Sequence, residues 1–409
     1  MIMRDTPDPS SVRFTGPLSP FAPGLAEALA ARRYAPTSVV GLLRLTAHLS
    51  RWCDDVGVGP GDLTGPVVDR FLVARRASHT NGHGPRALTP ILDHLRQAEV
   101  VPVAMAEPPS SAAEVLLERF ARFLIVERAL TGRVAVAYCR WVRPFAVSAV
   151  QLDERGPCPD LTAAVVTRFL TEQLPAMSRK SAQMTACALR LFLRFLHVEA
   201  IVDTDLTHAV PAVAYWRLAG LPKALAPHEI QALRLACDPS DPAGCRDVAV
   251  IGMLHRLGLR CAEAAALRLE DIDWAAGTIA VHGKGNRLDR LPLPVDVGEA
   301  LVEYLRRGRP RTSARTVFVS ARAPYGALDA TGVSCIVARA ARRAGLGTVH
   351  GHRLRHTAAT STLNAGASLE EVAQLLRHAG PTTTFSYAKT DQIRLARIAR
   401  PWPTATGTS

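Results

Sequence analysis

Apolar positions recur at helical spacing along most of this chain and alternate at strand spacing in one short stretch. Helical patterns run from Arg33 to Trp52, Leu88 to Val101, Arg128 to Val147 and Ala188 to Val202, separated by polar or Pro/Gly-rich joints. These helices frame a repeat. Asp62–Leu72 (DLTGPVVDRFL) returns as Asp160–Leu170 (DLTAAVVTRFL), with eight of eleven positions identical at an offset of 98 residues. Two copies are too few for a solenoid. The pattern predicts a flexible N-terminus over 1–19 and then two tandem helical bundles, 20–105 and 112–215. Asp62 and Asp160 stand where helix caps belong.

A linker rich in Ala, Leu, Pro and Gly follows at Arg217–Pro227, and the texture then changes. Helical patterns at His228–Ala236 and Arg246–Leu257 lead into a strand at Gly277–Val281, a turn at Gly283–Asn286 and a returning strand at Arg287–Leu293, the signature of a hairpin. Helices resume from about Gly298. The expected fold class is therefore mainly α, with helical-bundle modules N-terminal and a small antiparallel β-sheet inside a C-terminal domain spanning 222–409.

Charge adds direction to this outline. The chain carries 49 basic and 36 acidic residues, a net of +13. Residues 222–409 hold 25 basic and 16 acidic side chains, so +9 of that excess lies in the C-terminal half. Such a bias fits an anionic partner such as nucleic acid, and a merely solubilising charge stays open. Under the first reading the repeated motif is a DNA-clamping module used twice; under the second it is an ordinary helix entry. The eight cysteines show no zinc spacing and read as reduced, mostly buried thiols. No apolar run is long enough to span a membrane. The N-terminus MIMRDTPDPS lacks an export pattern, so a cytoplasmic protein is expected.

Candidate chemistry concentrates in the C-terminal half. In Gly258–Leu267, Arg260 and Glu263 share one helical face by spacing, either as a surface ion pair or as a phosphate-directed guanidinium steadied by a carboxylate. Lys284 is one of four lysines against 45 arginines and sits between glycines at the hairpin tip. It is either a solvated turn residue or a proton donor, since lysine, unlike arginine, gives up its proton when neighbouring charge lowers its pKa. His350–Thr357 (HGHRLRHT) packs imidazoles and guanidiniums together with no acid between them. His352 and Arg355 share a face there, which favours an anion site. Ser368 and Glu371 form a capping box ahead of a Leu/Val stripe, and His378 falls in the last turn, where it could also simply complement the helix dipole. Tyr387 lies nine residues further on. Two arginines, a lysine, two histidines and a tyrosine, without clustered acids for a metal, suit metal-free phosphoryl transfer with tyrosine as the nucleophile.

These segments together resemble the tyrosine recombinases, or phage integrases. GLRCAEAAALRLEDIDW resembles the first arginine box, with Arg260 in the catalytic position and Glu263 in the supporting acidic one. VHGKGNRLDRLPL resembles the β-hairpin that carries the catalytic lysine, here Lys284. HRLRHTAAT matches the His-x-x-Arg box with His352 and Arg355, and LLRHAGPTTTFSY matches the final box with His378 and Tyr387. Residues 112–215 then correspond to the SAM-like core-binding domain. The resemblance implies DNA strand cleavage and rejoining through a 3′-phosphotyrosyl bond on Tyr387, without ATP, metal or other cofactor. Arg260, Arg355 and His378 would bind the non-bridging oxygens. Lys284 would protonate the 5′-oxygen, and His352 would assist at the tyrosine. The implied partners are a double-stranded DNA recombination site and a homotetramer, or a hetero-tetramer with related recombinases, with Ile393, Leu395 and Ile398 as a docking face for a neighbouring or the same subunit. No membrane partner is implied, and the element served would be a mobile element or a replicon undergoing resolution. The alternatives are DNA relaxation of the type IB topoisomerase kind, or a DNA-binding protein without catalysis. Two features depart from the family pattern: Arg377 replaces a small residue before His378, and the module at 20–105 is additional.

Overall fold

The computed structural model describes residues 8–79, 84–102, 111–149, 161–213, 224–283 and 287–377. Two compact units divide the chain, one made of residues 105–219 and the other of residues 1–104 together with 220–409.

At the N-terminus, helices α1 (Ala22–Ala31), α2 (Pro36–Asp55), α3 (Gly65–Ser78) and α4 (Pro85–Gln97) surround a core that includes Leu25, Leu29, Leu43, Leu49, Phe71, Leu88 and Ile91. The joint between α1 and α2 turns on Arg33, whose φ of 60° ends the first helix and delays the second to Pro36. The same thing happens after α4, where Glu99 at φ 55° stops a helix that apolar spacing alone would carry to Val101. Ser50 is fully buried in α2 and satisfied on both sides. Its hydroxyl donates to the Thr15 carbonyl at 2.7 Å and accepts from the Leu18 N–H at 3.0 Å, tying the N-terminal segment down.

Residues 105–219 repeat this plan with α5 (Ala112–Val126), α6 (Gly132–Ala149), α7 (Ala163–Gln173) and α8 (Arg179–Val198). The last helix begins nine residues before the leucine-rich stretch at Ala188, because Ser178 caps it by accepting from the Ser181 N–H. Phe120, Phe145, Phe192 and Phe195 are buried together, with Phe120 and Phe192 edge-to-face at 5.1 Å between ring centroids. Buried positions of the two bundles coincide. Val39, Leu43, Thr46, Leu49 and Ser50 fall on Ala135, Cys139, Val142, Phe145 and Ala146 at an offset of 96, while Val68, Phe71 and Leu72 fall on Val166, Phe169 and Leu170 at 98. The repeat is thus structural. The expected caps are not where the acids stand. Thr64 and Thr162 hold the cap positions, and Asp62 ends a preceding 3-10 turn. Pro66 explains the shift in the first copy, since a residue without an N–H belongs in the first helical turn and sets the cap at Thr64. Asp160 lies outside the described residues.

The C-terminal core runs through α9 (Pro227–Leu235), α10 (Pro242–Arg256), α11 (Cys261–Ala266), strands β1 (Ile272–Asp273), β2 (Thr278–His282) and β3 (Leu288–Pro292), then α12 (Val295–Glu303), α13 (Ala330–Arg343), α14 (Gly351–Asn364) and α15 (Leu369–Leu376). The sheet is antiparallel in the order β1-β2-β3, with Ile279 opposite Leu291. Ile279, Val281 and Leu291 face the core, as period-two alternation requires. The sequence pattern yields the hairpin but not β1, which is too short to show any alternation. Among the described residues no helix is long and apolar enough to cross a membrane. Cys53, Cys139, Cys237 and Cys245 are buried, Cys335 is exposed, and all seven described cysteines are free.

Truncating Phe192 removes the ring shared by Phe120, Phe145 and Phe195. Phe192→Ala is expected to cost about 3–5 kcal/mol, read as a lowered denaturation midpoint and as faster amide exchange confined to α5, α6 and α8.

Candidate active site

Glu263 organises the described part of the site. Arg260 is not a second position on the face of α11, as its spacing suggests. It is the residue before the helix, in extended conformation at φ −73°, ψ 151°. From there its own N–H donates to Glu263 Oε2 at 2.8 Å, and its guanidinium donates to Oε1 at 2.5 Å. The Arg260 side chain keeps 42% of its surface exposed while Glu263 keeps 5%. One edge of the guanidinium is therefore anchored and the other remains open to a ligand.

Arg355 arrives from α14 and is among the most deeply buried side chains. Its Nη1 donates to the Gly258 carbonyl and lies 3.9 Å from Glu263 Oε2, and its Nη2 donates to the Leu376 carbonyl. The anion-site reading of His350–Thr357 rests on there being no acid in that window. The acid comes instead from Glu263, in a different segment. Glycine is favoured at 258 on two counts: its φ is +57°, and a Cβ would sit 2.8 Å from the Leu376 side chain. Gly351, the first residue of α14, is equally confined, since a Cβ there would lie 2.3 Å from Cys261 Sγ. That contact seats the helix bearing His352 and Arg355 directly on the one that follows Arg260. Farther along α14, the Thr357 hydroxyl accepts from the Leu225 N–H at 2.9 Å, which pins the start of the C-terminal domain to the same helix.

Arg377 is the contributor that sequence reasoning missed. It follows α15 in the left-handed region at φ 52°, a conformation where glycine is usual. The side chain turns inward, with Nη2 donating to Glu263 Oε2 at 2.8 Å and Nη1 to the Leu375 carbonyl at 2.9 Å. The available signal was its departure from the small residue of the family pattern, since the helix expected to run on to His378 ends at Leu376. Burial pushes the Glu263 carboxyl up, but the Arg260 N–H and the charges of Arg377 and Arg260 outweigh it and hold the group below the usual range.

His352 is exposed on α14, its ring 4.3 Å from that of His356. Burial, reinforced by the His352 and Arg355 charges, lowers His356 to about 4, so it is neutral near pH 7 and adds no charge to the site. Lys284, His378 and Tyr387 lie outside the described residues, as do Ile393, Leu395 and Ile398. Among the described residues, no group of three or more His, Cys, Asp or Glu is placed to share a metal ion.

Replacing one member of a buried charge cluster leaves the others uncompensated. Glu263→Gln is expected to lower stability at neutral pH by about 3–5 kcal/mol. Because the folded carboxyl titrates below its ordinary value, its contribution is complete above the unfolded pKa and is lost as pH falls through the folded one. Denaturation midpoints measured from neutral pH down through the carboxylate range are thus expected to converge for wild type and variant. A constant gap would contradict the clamp.

Comparison with known proteins identifies the family and the fold. The sequence profile of the phage integrase family matches residues 223–394. Integrase/recombinase y4rA of Sinorhizobium fredii is 36% identical over 95% of this chain and 95% of its own length. Tyrosine recombinase XerC of Oceanobacillus iheyensis is 32% identical over 69% of this chain and 94% of its own. Among solved structures, the XerH site-specific recombinase bound to a palindromic difH substrate aligns with a TM-score of 0.56 at 20% identity, covering 81% of this chain and 93% of that one. The lambda integrase tetramer bound to a Holliday junction gives 0.55 at 18%, covering 79% and 90%. These two likenesses establish the fold, and the sequence relatives establish the rest: the chain belongs to the phage integrase family, the tyrosine recombinases, and is a site-specific recombinase.

Proposed function

We propose that this recombinase cuts and rejoins duplex DNA through a 3′-phosphotyrosyl intermediate, with Tyr387 as nucleophile. The Tyr387 oxygen attacks the scissile phosphorus and the bond to the 5′-oxygen breaks. Lys284 gives its proton to that leaving oxygen, and His352 assists removal of the tyrosine proton. Arg260, Arg355 and His378 bind the non-bridging oxygens as charge develops on them. A 5′-hydroxyl from a partner duplex then attacks the phosphotyrosine and releases Tyr387, so one phosphodiester is exchanged for another and no ATP is needed.

The observation that carries this reading is the sharing of Glu263 by Arg260 and Arg355. The two arginines come from motifs 95 residues apart in sequence, yet both reach one carboxylate. A guanidinium fixed before substrate arrives loses little freedom on binding phosphate, and that preorganisation lowers the barrier. Tyr304, another C-terminal tyrosine, is unsuited to attack. It is buried, accepts from the Val319 N–H, and is held above the ordinary tyrosine pKa mainly by burial.

In this reading residues 222–409 carry the chemistry, 112–215 form the core-binding domain and 20–105 an additional module. The chain assembles as a tetramer on two DNA sites in the nucleoid, serving a mobile element or the resolution of a replicon.

The first test uses a nicked duplex carrying the site recovered by selection of bound DNA. Wild type is expected to accumulate a covalent adduct on it and Tyr387→Phe none, with DNA binding retained. An adduct formed by the Phe variant would remove Tyr387 from the role. For Lys284→Ala, cleavage is expected to slow by about 10²–10⁴-fold and to recover on a 5′-thio substrate, whose leaving group needs no proton. Equal slowing on both substrates would exclude Lys284 as the acid.

A further inference from the structure

The N-terminal bundle carries a concave cavity of about 620 Å³ lined by Arg13, Arg44, His48, Arg51, Arg75 and His79, with no carboxylate among its lining residues. Its construction follows from α2. Arg44, His48 and Arg51 stand at helical spacing i, i+4, i+7 and so share one stripe, while Val39, Leu43, Thr46 and Ser50 of the same helix face the core. The opposite wall is Arg75 of α3. It is buried, and its Nη1 bonds His48 Nδ1. Edge contact with Phe71 and a tilted ring contact with His79 fix the His48 ring further. Burial first, then the charges of Arg75, His79 and Arg51, keep His48 below its ordinary pKa. A neutral imidazole accepting at Nδ1 carries its proton on Nε2 and is itself a donor.

Gly41 lines the same cavity one turn before Arg44. It lies within α2, where glycine costs about 0.5–1 kcal/mol relative to alanine. Nothing within 4 Å would meet a Cβ there, so packing does not account for the glycine. Its effect is to leave the floor of a cationic hollow bare. The second bundle does not repeat the feature. At the equivalent positions Arg75 becomes Gln173, His48 becomes Pro144 and Arg51 becomes Val147.

We propose that this cavity seats the phosphate backbone of duplex DNA, giving the additional module its own backbone contact outside the catalytic domain. Because the proposed function already makes DNA the substrate, the test must separate the two readings. The full chain is titrated with labelled duplex of mixed sequence, about 40 base pairs long, over roughly 50–200 mM salt. Removing two phosphate contacts with Arg44→Gln/Arg51→Gln is expected to lower the slope of log affinity against log salt by about 2 and to weaken binding at least tenfold. Gly41→Glu, which places a carboxylate in open space, is expected to bind more weakly than Gly41→Gln. Arg76→Gln, an exposed arginine of α3 outside the cavity, is expected to keep the wild-type slope.

Unchanged slopes for the double variant and Gly41→Glu would overturn the proposal. So would an equal loss with Arg76→Gln, which would mean a general surface field. Melting temperatures with and without inorganic phosphate separate a free anion from DNA. Stabilisation by phosphate that the double variant loses, with DNA slopes intact, would assign the cavity to a small anion instead. Covalent adduct formation by wild type on the nicked site is scored in parallel. Its absence would remove the strand-exchange reading and leave the salt slopes to decide the cavity.

Discussion

A carboxylate held away from water by three guanidiniums sets the geometry on which the rest of the catalytic half depends. Taking Glu263 out of solvent is unfavourable by several kcal/mol unless its oxygens are filled. Arg260 and Arg377 fill them, with Arg355 close behind. Each of these residues belongs to a different segment, so satisfying one buried charge fixes α11, α14 and the end of α15 against each other. The same arginines also fill backbone carbonyls at Gly258, Leu375 and Leu376. Turns that approach the site are thereby held by side chains.

How far the sequence carried depends on what kind of physics each feature rests on. Bundles were legible because apolar spacing is imposed by burial, and the small sheet because alternation over five residues has no helical counterpart. Boundaries were less so. Arg33, Glu99 and Arg377 all adopt positive φ, and nothing in the composition of an arginine or glutamate announces that. The helix entries at Thr64 and Thr162 were displaced from the neighbouring acids because cap position follows from where a helix can begin, and an Asp is no guarantee of one.

Within the site, Arg260, Glu263, His352 and Arg355 were legible from spacing and residue type, yet their arrangement was not. The Arg260–Glu263 pairing holds, but as a cap closing on its own helix. The missing acid of the His350–Thr357 window turned out to be a residue nearly a hundred positions away, which no local window contains. Arg377 stood out only as a departure at one position. Its inward turn depends on a left-handed backbone and on a partner 114 residues earlier. Lys284, His378 and Tyr387 lie outside the described residues and rest on sequence alone.

The repeat superposes its second helices at an offset of 96 and its third helices at 98. The two-residue difference therefore falls between the last matched position of the second helices and the first of the third, across residues 51–67 in one copy and 147–165 in the other. Loop length changes closure entropy only slowly, whereas adding a residue inside either helix would rotate every later side chain off the core. The two bundles thus share a buried lattice and differ in length between its blocks. A shared interior therefore leaves the outer surface unconstrained, and supports a histidine ringed by arginines in one bundle and a proline in the other.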